Sequence, residues 1–454
     1  MQRLPSTPRA NWQHLVEQQG LTFHTPIAED APASKGNGMD RPYWDETAHY
    51  EFTAAEIDTL EAAGNELQTM CLAAQHIIDA NRFADLAIPS AAIPVIEAAW
   101  NAEPPALFGR FDLLWGGDRS GSPPKLLEYN ADTPTSLLEA AVIQWTWLEH
   151  LNQTDPRTLS SRPDPERAQR VEGAVEEPVS LHSAPYPPSS RPERIARSGE
   201  IPSLAKLQKP ADQFNSLHEK LIAKWCDITP YLARPVFFSG VDTAEDTLTL
   251  AYLEDTAQQA GLRTARIATP DIGWNEPRQG FVDLHERSIQ SLFKLYPWES
   301  LLAEDFGPHA LQTYSQMIWI EPIWKLLLSN KGLLPILWEL FPNHPLLLES
   351  YFDSPRHLPA HVRKPLLSRE GANIAITYAD GTTVETDGTY SDGLVIYQAL
   401  APMVVFPDNL RFGAVRHPVL GLWMIDQECC GLGIRESAGP ITDNLSSFIP
   451  HLFR

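Results

Sequence analysis

Leu127-Glu-Tyr-Asn-Ala-Asp-Thr-Pro-Thr-Ser136 is the stretch of this chain that says most about its fold, and Gly109-Arg-Phe-Asp112 lies shortly before it. Residues Lys125–Asn130 predict a short strand that runs into a turn at Asp132. Residues 110–115 (RFDLLW) predict its hairpin partner, because the connection between the two runs is rich in glycine and proline. The sequence therefore predicts a β-hairpin with polar side chains along one face.

The polar side chains of this hairpin are of the kind that bind a hard cation. Glu128 and Asn130 are two residues apart, so on a strand they point to the same face, and Asp112 is expected opposite Glu128. Mg²⁺ prefers one or two carboxylates together with water and phosphate oxygens. Arg110 lies beside them, and further oxygens follow at Asp132, Thr133, Thr135 and Ser136. The alternative is a solvated hairpin face with ordinary charge pairs.

Composition excludes several classes of protein. The chain has 454 residues, of which 43% are hydrophobic, and these suffice for a large core. The formal net charge of -23 argues against a nucleic-acid partner and against an anionic membrane surface. The four cysteines lack the spacing of a metal finger, so a reduced cytoplasmic protein is expected; they are Cys71, Cys226, Cys429 and Cys430. The adjacent pair is interpreted as buried structure.

No targeting or membrane segment is predicted. Residues 1–9 (MQRLPSTPR) have no apolar core, so they do not resemble a secretory signal. The most apolar stretch, Ile318–Leu328, is interrupted by Glu321, Pro322 and Lys325 and is too short to span a membrane.

The chain divides into five predicted regions. Residues 1–104 are predicted to be mainly helical, and residues 105–151 hold the hairpin and a following helix. Residues 152–211 are rich in Pro, Ser, Arg and Glu and predict a disordered insertion, with a proline-rich docking segment as the alternative. Residues 212–310 alternate strand and helix patterns, which indicates an α/β region with parallel pairing. Residues 311–454 contain late strands.

Local start signals support individual helices. Thr53 followed by Glu56 predicts a capping box. Thr135 and Ser136 are expected to start a helix over 136–151, and Thr243 is expected to cap a helix over 244–261.

A second cluster suits phosphate binding. Lys331 and Lys364 lie on separate predicted elements, and a polar loop, Ser368–Ile374, has Gly371 at its centre. Two lysines neutralise charge and loop amides donate to phosphate oxygens. No Walker motif is present, and two ordinary surface lysines are the alternative.

A third cluster ends in an arginine. Two glycines bracket a turn, and Arg435 and Glu436 follow. An arginine here would stabilise a developing oxyanion or a transferred phosphoryl group; a structural ion pair is the alternative. The aromatic segment Phe293–Ser300, which contains one lysine, is interpreted as buried core rather than a pocket wall.

Five motifs occur in one order: RFD, LEYNADTPTS, NKGLLPILW, RKP and GIRES. Together they resemble the synthetase domain of the glutathionylspermidine synthase family. The resemblance covers nearly all of the chain outside its first residues and the 152–211 segment. It implies an α/β, ATP-grasp-like fold with a preceding helical, pre-ATP-grasp region.

The resemblance implies ATP-dependent joining of a carboxylate to an amine through an acyl phosphate. The implied magnesium ligands are Asp112, Glu128 and Asn130. Arg110 would hold the carboxylate or γ-phosphate, and Arg435 would stabilise the tetrahedral intermediate. The implied ATP contacts are Lys331 and Lys364 to the phosphates and Gln398 to Leu400 around the adenine.

The resemblance also implies the substrate class. Thr133 and Thr135 occupy positions where bifunctional members carry serines near the glycyl end of glutathione. Glu245 and Asp246 match, loosely, an acidic pair near the amine. A glutathione-like peptide and a polyamine-like amine are therefore the expected small-molecule partners. The chain has no room for the cysteine amidase domain of the bifunctional members, so it is expected to resemble the stand-alone ones. The competing hypotheses are a catalytically silent ATP-binding protein and a kinase-like phosphotransferase.

Overall fold

A computed structural model describes residues 1–25, 41–154, 211–390, 393–444 and 446–454. Within these ranges the strands form five sheets. The predicted insertion over 152–211 lies outside the described residues except at its two edges. No helix in the described ranges is long and apolar enough to cross a bilayer.

The strands are β1 Gln2–Pro5, β2 Ala48–Phe52, β3 Phe108–Leu114, β4 Lys125–Asn130, β5 Val236–Gly240, β6 Thr264–Ala268, β7 Gly273–Asn275, β8 Gly280–Val282, β9 Ser291–Leu295, β10 Ile318–Ile320, β11 Ser350–Tyr351, β12 His361–Pro365, β13 Ala375–Thr377, β14 Thr383–Glu385, β15 Val395–Ala399, β16 Phe406–Pro407, β17 Val415–Ile425, β18 Glu428–Ser437, β19 Ser447–Phe448 and β20 His451–Phe453. The α-helices are α1 Trp12–Gln18, α2 Ala54–Met70, α3 Ala73–Asp79, α4 Ile93–Ala102, α5 Gln144–Thr154, α6 Leu217–Ile228, α7 Ala244–Gln259, α8 Trp298–Ala303, α9 Gly307–Gln312, α10 Lys325–Leu328 and α11 Leu333–Leu340. A π-helical segment, Glu139–Ile143, leads directly into α5.

The largest sheet has the order β19-β18-β17-β3-β4, and its strand pairs are antiparallel. The long strands β17 and β18 are joined at Asp426 and Gln427, which both have positive φ, as a two-residue primed turn requires. In the predicted hairpin, β3 pairs with β4, and Asp112 lies directly opposite Glu128. The prediction of this hairpin and of its register is confirmed.

The region after residue 211 contains the predicted parallel sheet. Its order is β10-β9-β5-β6, with every pair parallel. Helix α7 connects β5 to β6, and it begins at Thr243, whose hydroxyl accepts a hydrogen bond from the Asp246 N–H. Strands β5 and β6 pair in parallel, and α7 forms the crossover that a parallel pair requires. The β-α-β prediction is therefore confirmed.

A further antiparallel sheet, ordered β11-β15-β12-β13-β14, carries the second predicted cluster. Val362 on β12 pairs with Gln398 on β15, so alternate residues place Lys364 and Gln398 on the same face. Local packing of α11 against β11 and β15 joins this sheet to the main core. The lysine and the amide are therefore held by sheet backbone rather than by loops.

The N-terminal region holds two strands that the sequence analysis missed. The capping box at Thr53 and Glu56 is present as predicted, at the start of α2. However, β1 pairs with β2, and β2 runs parallel to β20, which lies far away in the sequence. Local periodicity does not reveal such a pairing, because the partner strand supplies the hydrogen bonds.

The cysteines agree with the structural interpretation. All four are free, and the adjacent pair Cys429 and Cys430 is buried in strand β18. Burial raises the pKa of the Cys430 thiol to about 12. These thiols are therefore held in their neutral form and act as small core side chains.

Candidate active site

One cavity, here called the central cavity, is bordered by the β3–β4 hairpin, the β17–β18 hairpin and the β12–β15 sheet. The predicted site residues that line it are Arg110, Asp112, Glu128, Asn130, Thr133, Thr135, Lys331, Lys364, Gln398, Leu400 and Arg435. The structure therefore brings together residues that are more than three hundred positions apart. The roles assigned to them remain predictions.

The hairpin face carries a paired set of charges. The Arg110 guanidinium donates to both carboxylate oxygens of Asp112, at 2.7 and 2.9 Å. The Asn130 amide donates to Asp112 Oδ2 at 3.1 Å and to Glu128 Oε1 at 3.3 Å. Burial raises the pKa of the Asp112 carboxyl, with Arg110 acting in the opposite direction. The two carboxylates thus lie beside each other on the cavity wall.

Lys331 and Lys364 lie next to this face. Lys331 Nζ forms an ion pair with Glu128 Oε2 at 2.9 Å and donates to the Ser368 carbonyl. Although burial alone raises the pKa of Glu128, the charges of the two lysines outweigh it and lower that pKa to about 2. Burial lowers the pKa of Lys364 to about 8, even with Glu128 nearby. The cavity wall therefore combines two lysines with the carboxylates of Asp112 and Glu128.

The hairpin residues fit a divalent cation that arrives with a phosphate ligand. The Asn130 amide nitrogen lies beside the carboxylate oxygens of Asp112 and Glu128. A 180° rotation of this amide would put its oxygen in that place, so that three oxygen atoms able to bind a metal would lie on one face. No group of three or more His, Cys, Asp or Glu side chains arranged for a metal occurs in the described ranges. A two-carboxylate set suits Mg²⁺, which keeps water and phosphate oxygens, better than it suits a metal needing an all-protein cage.

The residues assigned to the adenine region lie at the same cavity but differ in what their side chains do. The Gln398 side chain is buried, accepts a bond from Lys364 at 2.7 Å and donates to the Leu126 carbonyl. The side chain therefore positions Lys364, and the place of residues 398–400 in the adenine region stays a prediction. Leu400 lines the cavity and offers an apolar surface.

Arg435 is held at the far end of the cavity. It donates to the backbone carbonyls of Ser446 at 3.0 Å and Asp443 at 2.8 Å, and more weakly to Ser136 Oγ at 3.4 Å. The neighbouring Glu436 points elsewhere and pairs with the buried Arg3. Adjacent residues of a strand point to opposite faces, so Glu436 forms its structural ion pair away from Arg435.

The two acidic residues expected near the amine separate in the structure. Glu245 does not line the central cavity, but its carboxyl is hydrogen-bonded to the Thr135 side chain. Burial raises the pKa of Glu245, and the charges of Arg435 and Arg110 oppose this effect. Asp246 instead accepts the Val241 N–H, and burial raises its pKa to about 6. Only Glu245 is thus placed to interact with a ligand through Thr135, and Asp246 completes the turn before α7.

Sequence reasoning missed Arg369. Its guanidinium donates to the Thr133 hydroxyl at 3.0 Å and to Glu299, and it lines the cavity. It lies in the polar loop that was noted for Gly371, so a signal was present. Gly371 itself has a φ of +72°, and an added Cβ would collide with the Thr442 carbonyl.

Asp132 is turned away from the site and serves as structure. Its carboxylate pairs with Lys294 Nζ at 2.6 Å and accepts the Trp298 N–H at 2.9 Å, and all of these groups are buried. The interpretation of 293–300 as core rather than pocket wall is confirmed. This pair holds the turn that presents Thr133 to the cavity.

Lys294→Met is expected to destabilise the protein by about 3–5 kcal/mol, because it leaves the Asp132 charge buried without a partner. Urea unfolding would measure the loss, and adding Asp132→Asn is expected to recover part of it. Lys220→Met, which removes an exposed pair with Glu428, is the control and should cost less than about 1 kcal/mol. A similar loss in both lysine variants would contradict the assignment.

The fold defines the class of this protein: it is a mixed α/β protein with several sheets. The solved structure of a glutathione synthetase-like effector from Globodera pallida is similar over 99% of this chain and 100% of its own, with a TM-score of 0.50 and 10% sequence identity. The predicted ATP-grasp-type fold class is confirmed.

The family follows from the sequence comparison. A family model described as glutathionylspermidine synthase preATP-grasp matches residues 3–163 and 201–454. This chain belongs to the glutathionylspermidine synthase family, and the resemblance stated from the motifs is confirmed.

Two curated relatives indicate the kind of chemistry found among similar proteins. A Haemophilus influenzae protein named "Putative acid--amine ligase" is 35% identical over 429 residues, which are 93% of each chain. Trypanothione synthetase of Crithidia fasciculata is 25% identical over 98% of this chain, which spans 61% of that protein. The predicted enzyme class, an amide-forming ligase, agrees with these names.

Proposed function

We propose that this protein is an ATP- and Mg²⁺-dependent ligase that joins a carboxylate to an amine through an acyl phosphate. The observation that carries the proposal is the central cavity itself. Two lysines, three arginines and the facing carboxylates of Asp112 and Glu128, drawn from several separate elements of the fold, border one space. This set matches a nucleotide triphosphate and a transferred phosphoryl group better than it matches a neutral ligand.

The chain's own residues would act mainly by positioning. Lys331 and Lys364 would neutralise the phosphates, and Arg110 would orient the acid whose oxygen attacks the γ-phosphorus. ADP then leaves and an acyl phosphate remains. The amine attacks the acyl carbon, Arg435 would stabilise the resulting oxyanion, and phosphate departs as the amine loses a proton.

Asp112, Glu128 and Asn130 would hold Mg²⁺. A bound ion would supply positive charge against the negative charge that develops on the phosphate oxygens. In the structure Asp112 pairs with Arg110, and Glu128 pairs with Lys331. With ligands bound, the two carboxylates would balance the charge of the ion, and the two cationic side chains would balance the charge of the phosphates.

The proposed substrates are a glutathione-like peptide acid and a polyamine-like amine. The family description and the name trypanothione synthetase support this class for the relatives. In this chain, Thr133 and Thr135 line the central cavity, and the Glu245 carboxyl is hydrogen-bonded to the Thr135 side chain behind it. Hydroxyl and arginine donors suit a peptide carboxylate, and a carboxylate suits an ammonium group.

The test is release of ADP and formation of an amide when the protein is incubated with ATP, Mg²⁺, glutathione and spermidine, extended to other peptides and amines. Product is expected by mass spectrometry with the wild-type chain and should be lost in Asp112→Ala. Asp353→Ala, which removes a surface pair with Arg356, is the control. ATP binding without product across the whole panel would indicate a silent nucleotide-binding protein, and phosphate found on a hydroxyl would indicate a phosphotransferase.

Gly421→Ala is expected to lower turnover by about 10- to 100-fold, since a misplacement near 1 Å at a reacting group has effects of this size. An added Cβ at Gly421 would lie 2.8 Å from Arg110 Cδ, so the guanidinium must move away from Asp112. Steady-state ADP release measures the effect.

Gly280→Ala is the matched control for that substitution, because the nearest atom to its added Cβ is 3.8 Å away. Both variants should unfold at similar temperatures. Unchanged turnover in Gly421→Ala would contradict the role assigned to Arg110.

A further inference from the structure

A buried cluster of three polar side chains lies directly behind Arg435 and is not accounted for by the proposed ligand contacts. It consists of Tyr43, Ser136 and Glu139, which are 6%, 3% and 2% exposed. The Arg435 guanidinium also stacks over the Tyr43 ring at 5.0 Å. Of the three, only Ser136 lines the central cavity.

The hydrogen bonds of this cluster form a chain. Arg435 Nη1 lies 3.4 Å from Ser136 Oγ, Ser136 Oγ lies 3.1 Å from the Tyr43 hydroxyl, and that hydroxyl donates to Glu139 Oε1 at 2.6 Å. An arginine only donates, and an ionised carboxylate only accepts. With both ends fixed, each hydroxyl must accept from the Arg435 side and donate towards Glu139. We name this arrangement the Arg435–Glu139 chain.

The backbone around the chain is unusual. Ser136 has a φ of +67°, a left-handed conformation that costs a non-glycine residue energy. Glu139 begins the π-helical segment that interrupts the start of the following helix. π-bulges and strained residues occur frequently at functional sites. In these two distorted segments, the side chains of Ser136 and Glu139 both point towards the Tyr43 hydroxyl.

We infer that Tyr43 and Glu139 are positioning residues that orient Arg435 through Ser136, and that the ionised form of Glu139 is the one that holds the productive orientation. The inference rests on the proposed ligase function of the same site. It assigns no contact between these two residues and the substrates. Instead, the direction of the hydrogen bonds in the Arg435–Glu139 chain determines how the Arg435 guanidinium faces the cavity.

The direction of the chain depends on pH. A protonated Glu139 can donate to Tyr43, which reverses the chain and turns the Ser136 proton towards Arg435. The groups that face Glu139 are Tyr43, Glu245 and Arg435; burial, followed by Glu245, raises the pKa of Glu139 to about 7. Glu139 is therefore ionised above about pH 7 and neutral below it, so the productive orientation is gained as pH rises.

The first test measures kcat and KM for ATP between pH 5.5 and 9, with glutathione and spermidine as the probe pair. Tyr43→Phe keeps the ring under Arg435 but removes the hydroxyl; kcat is expected to fall by about 10- to 100-fold at pH 8. KM for ATP is expected to stay within about twofold, because Lys331 and Lys364 lie outside the chain. Glu139→Gln does not titrate, so its kcat should no longer fall below about pH 7, whatever the level of kcat at pH 8.

Tyr50→Phe is the matched control. The Tyr50 hydroxyl also donates at 2.6 Å to a buried carboxylate, that of Glu436, but this pair leads to Arg3 and not to the cavity. Its kcat and pH profile should match those of the wild-type chain. A fall in kcat below pH 7 that persists unchanged in Glu139→Gln, or equal losses in the two tyrosine variants, would overturn the inference.

A second measurement does not depend on turnover. Infrared difference spectra between pH 6 and 8 should show a protonated carboxyl band that titrates near pH 7 and is absent from Glu139→Gln. The guanidinium bands, assigned with Arg435→Lys, should change in the same titration, and Tyr43→Phe should abolish that coupling. If no amide forms with any substrate pair but these spectral changes occur, the ligase proposal fails while the orientation of Arg435 by Glu139 stands. If amide forms and the spectra show no linked titration, the positioning inference alone fails.

Discussion

Arg435→Lys is expected to lower kcat by about 100- to 1000-fold, the usual effect of removing a donor that stabilises a developing oxyanion. The side chain is half-buried, and its planar guanidinium is fixed by the carbonyls of Ser446 and Asp443 on one side. A lysine ammonium keeps the charge but has no planar fork and does not reproduce this orientation. The loss should therefore fall on kcat, with KM for ATP changed little.

Arg356→Lys is the control for this substitution. Arg356 also stacks over a tyrosine ring, that of Tyr351, at 4.0 Å, but it is exposed and does not line the cavity. ADP release should be unaffected in this variant, and thermal unfolding should show both proteins folded. An Arg435→Lys enzyme with wild-type kcat would exclude Arg435 from the transition state.

Glu128→Gln is expected to reduce kcat/KM for ATP by at least about 100-fold, because the loss of several kcal/mol of metal-mediated charge stabilisation corresponds to that factor. The substitution removes one metal ligand and also leaves Lys331, whose Nζ lies 2.9 Å from Glu128, without its ion-pair partner. The Mg²⁺ concentration needed for half-maximal activity should rise. Removing Mg²⁺ with EDTA should bring ATP binding by the wild-type chain down to the level of the variant, as measured by calorimetry.

Glu428→Gln provides the comparison, since it removes another glutamate–lysine pair, with Lys220, outside the cavity. Its Mg²⁺ requirement should equal that of the wild-type chain. The pKa of Glu128, which Lys331 and Lys364 hold at about 2 against the effect of burial, keeps this carboxyl ionised throughout the neutral range. Activity lost on acidification near pH 6 should therefore not come from Glu128. An unchanged Mg²⁺ requirement in Glu128→Gln would remove it from the metal site.

Sequence reasoning predicted the elements whose evidence is local. Thr53 and Glu56 are three residues apart, and Thr243 immediately precedes its helix, so both caps were predictable. The alternation around Glu128 and Asn130 predicted the hairpin face and placed Asp112 opposite. The family's motifs added Lys331, Lys364 and Arg435, whose common location no local pattern reveals.

Other features depended on partners distant in sequence. Strands β1 and β2 were missed because β20 supplies their pairing. Asp132 has the same side chain as Asp112, but it forms a buried ion pair with Lys294, which lies far away in the sequence. The helix expected over 136–151 is present from residue 137, but Ser136 itself is left-handed and Glu139–Ile143 is π-helical, where contacts with Tyr43 and Arg435 outweigh regular α-helix geometry.

The sequence alone determined the family, the hairpin with Asp112 opposite Glu128, and the set of cationic and acidic residues, because these are written in short-range patterns and ordered motifs. Only the tertiary structure decided which of these residues share a cavity. It separated Glu245 from Asp246 and added Arg369 to the cavity wall. It also placed Tyr43 and Glu139 behind Arg435. The physical reason is that contacts between distant segments depend on packing and on pairing across sheets, and neither is encoded at any single position of the chain.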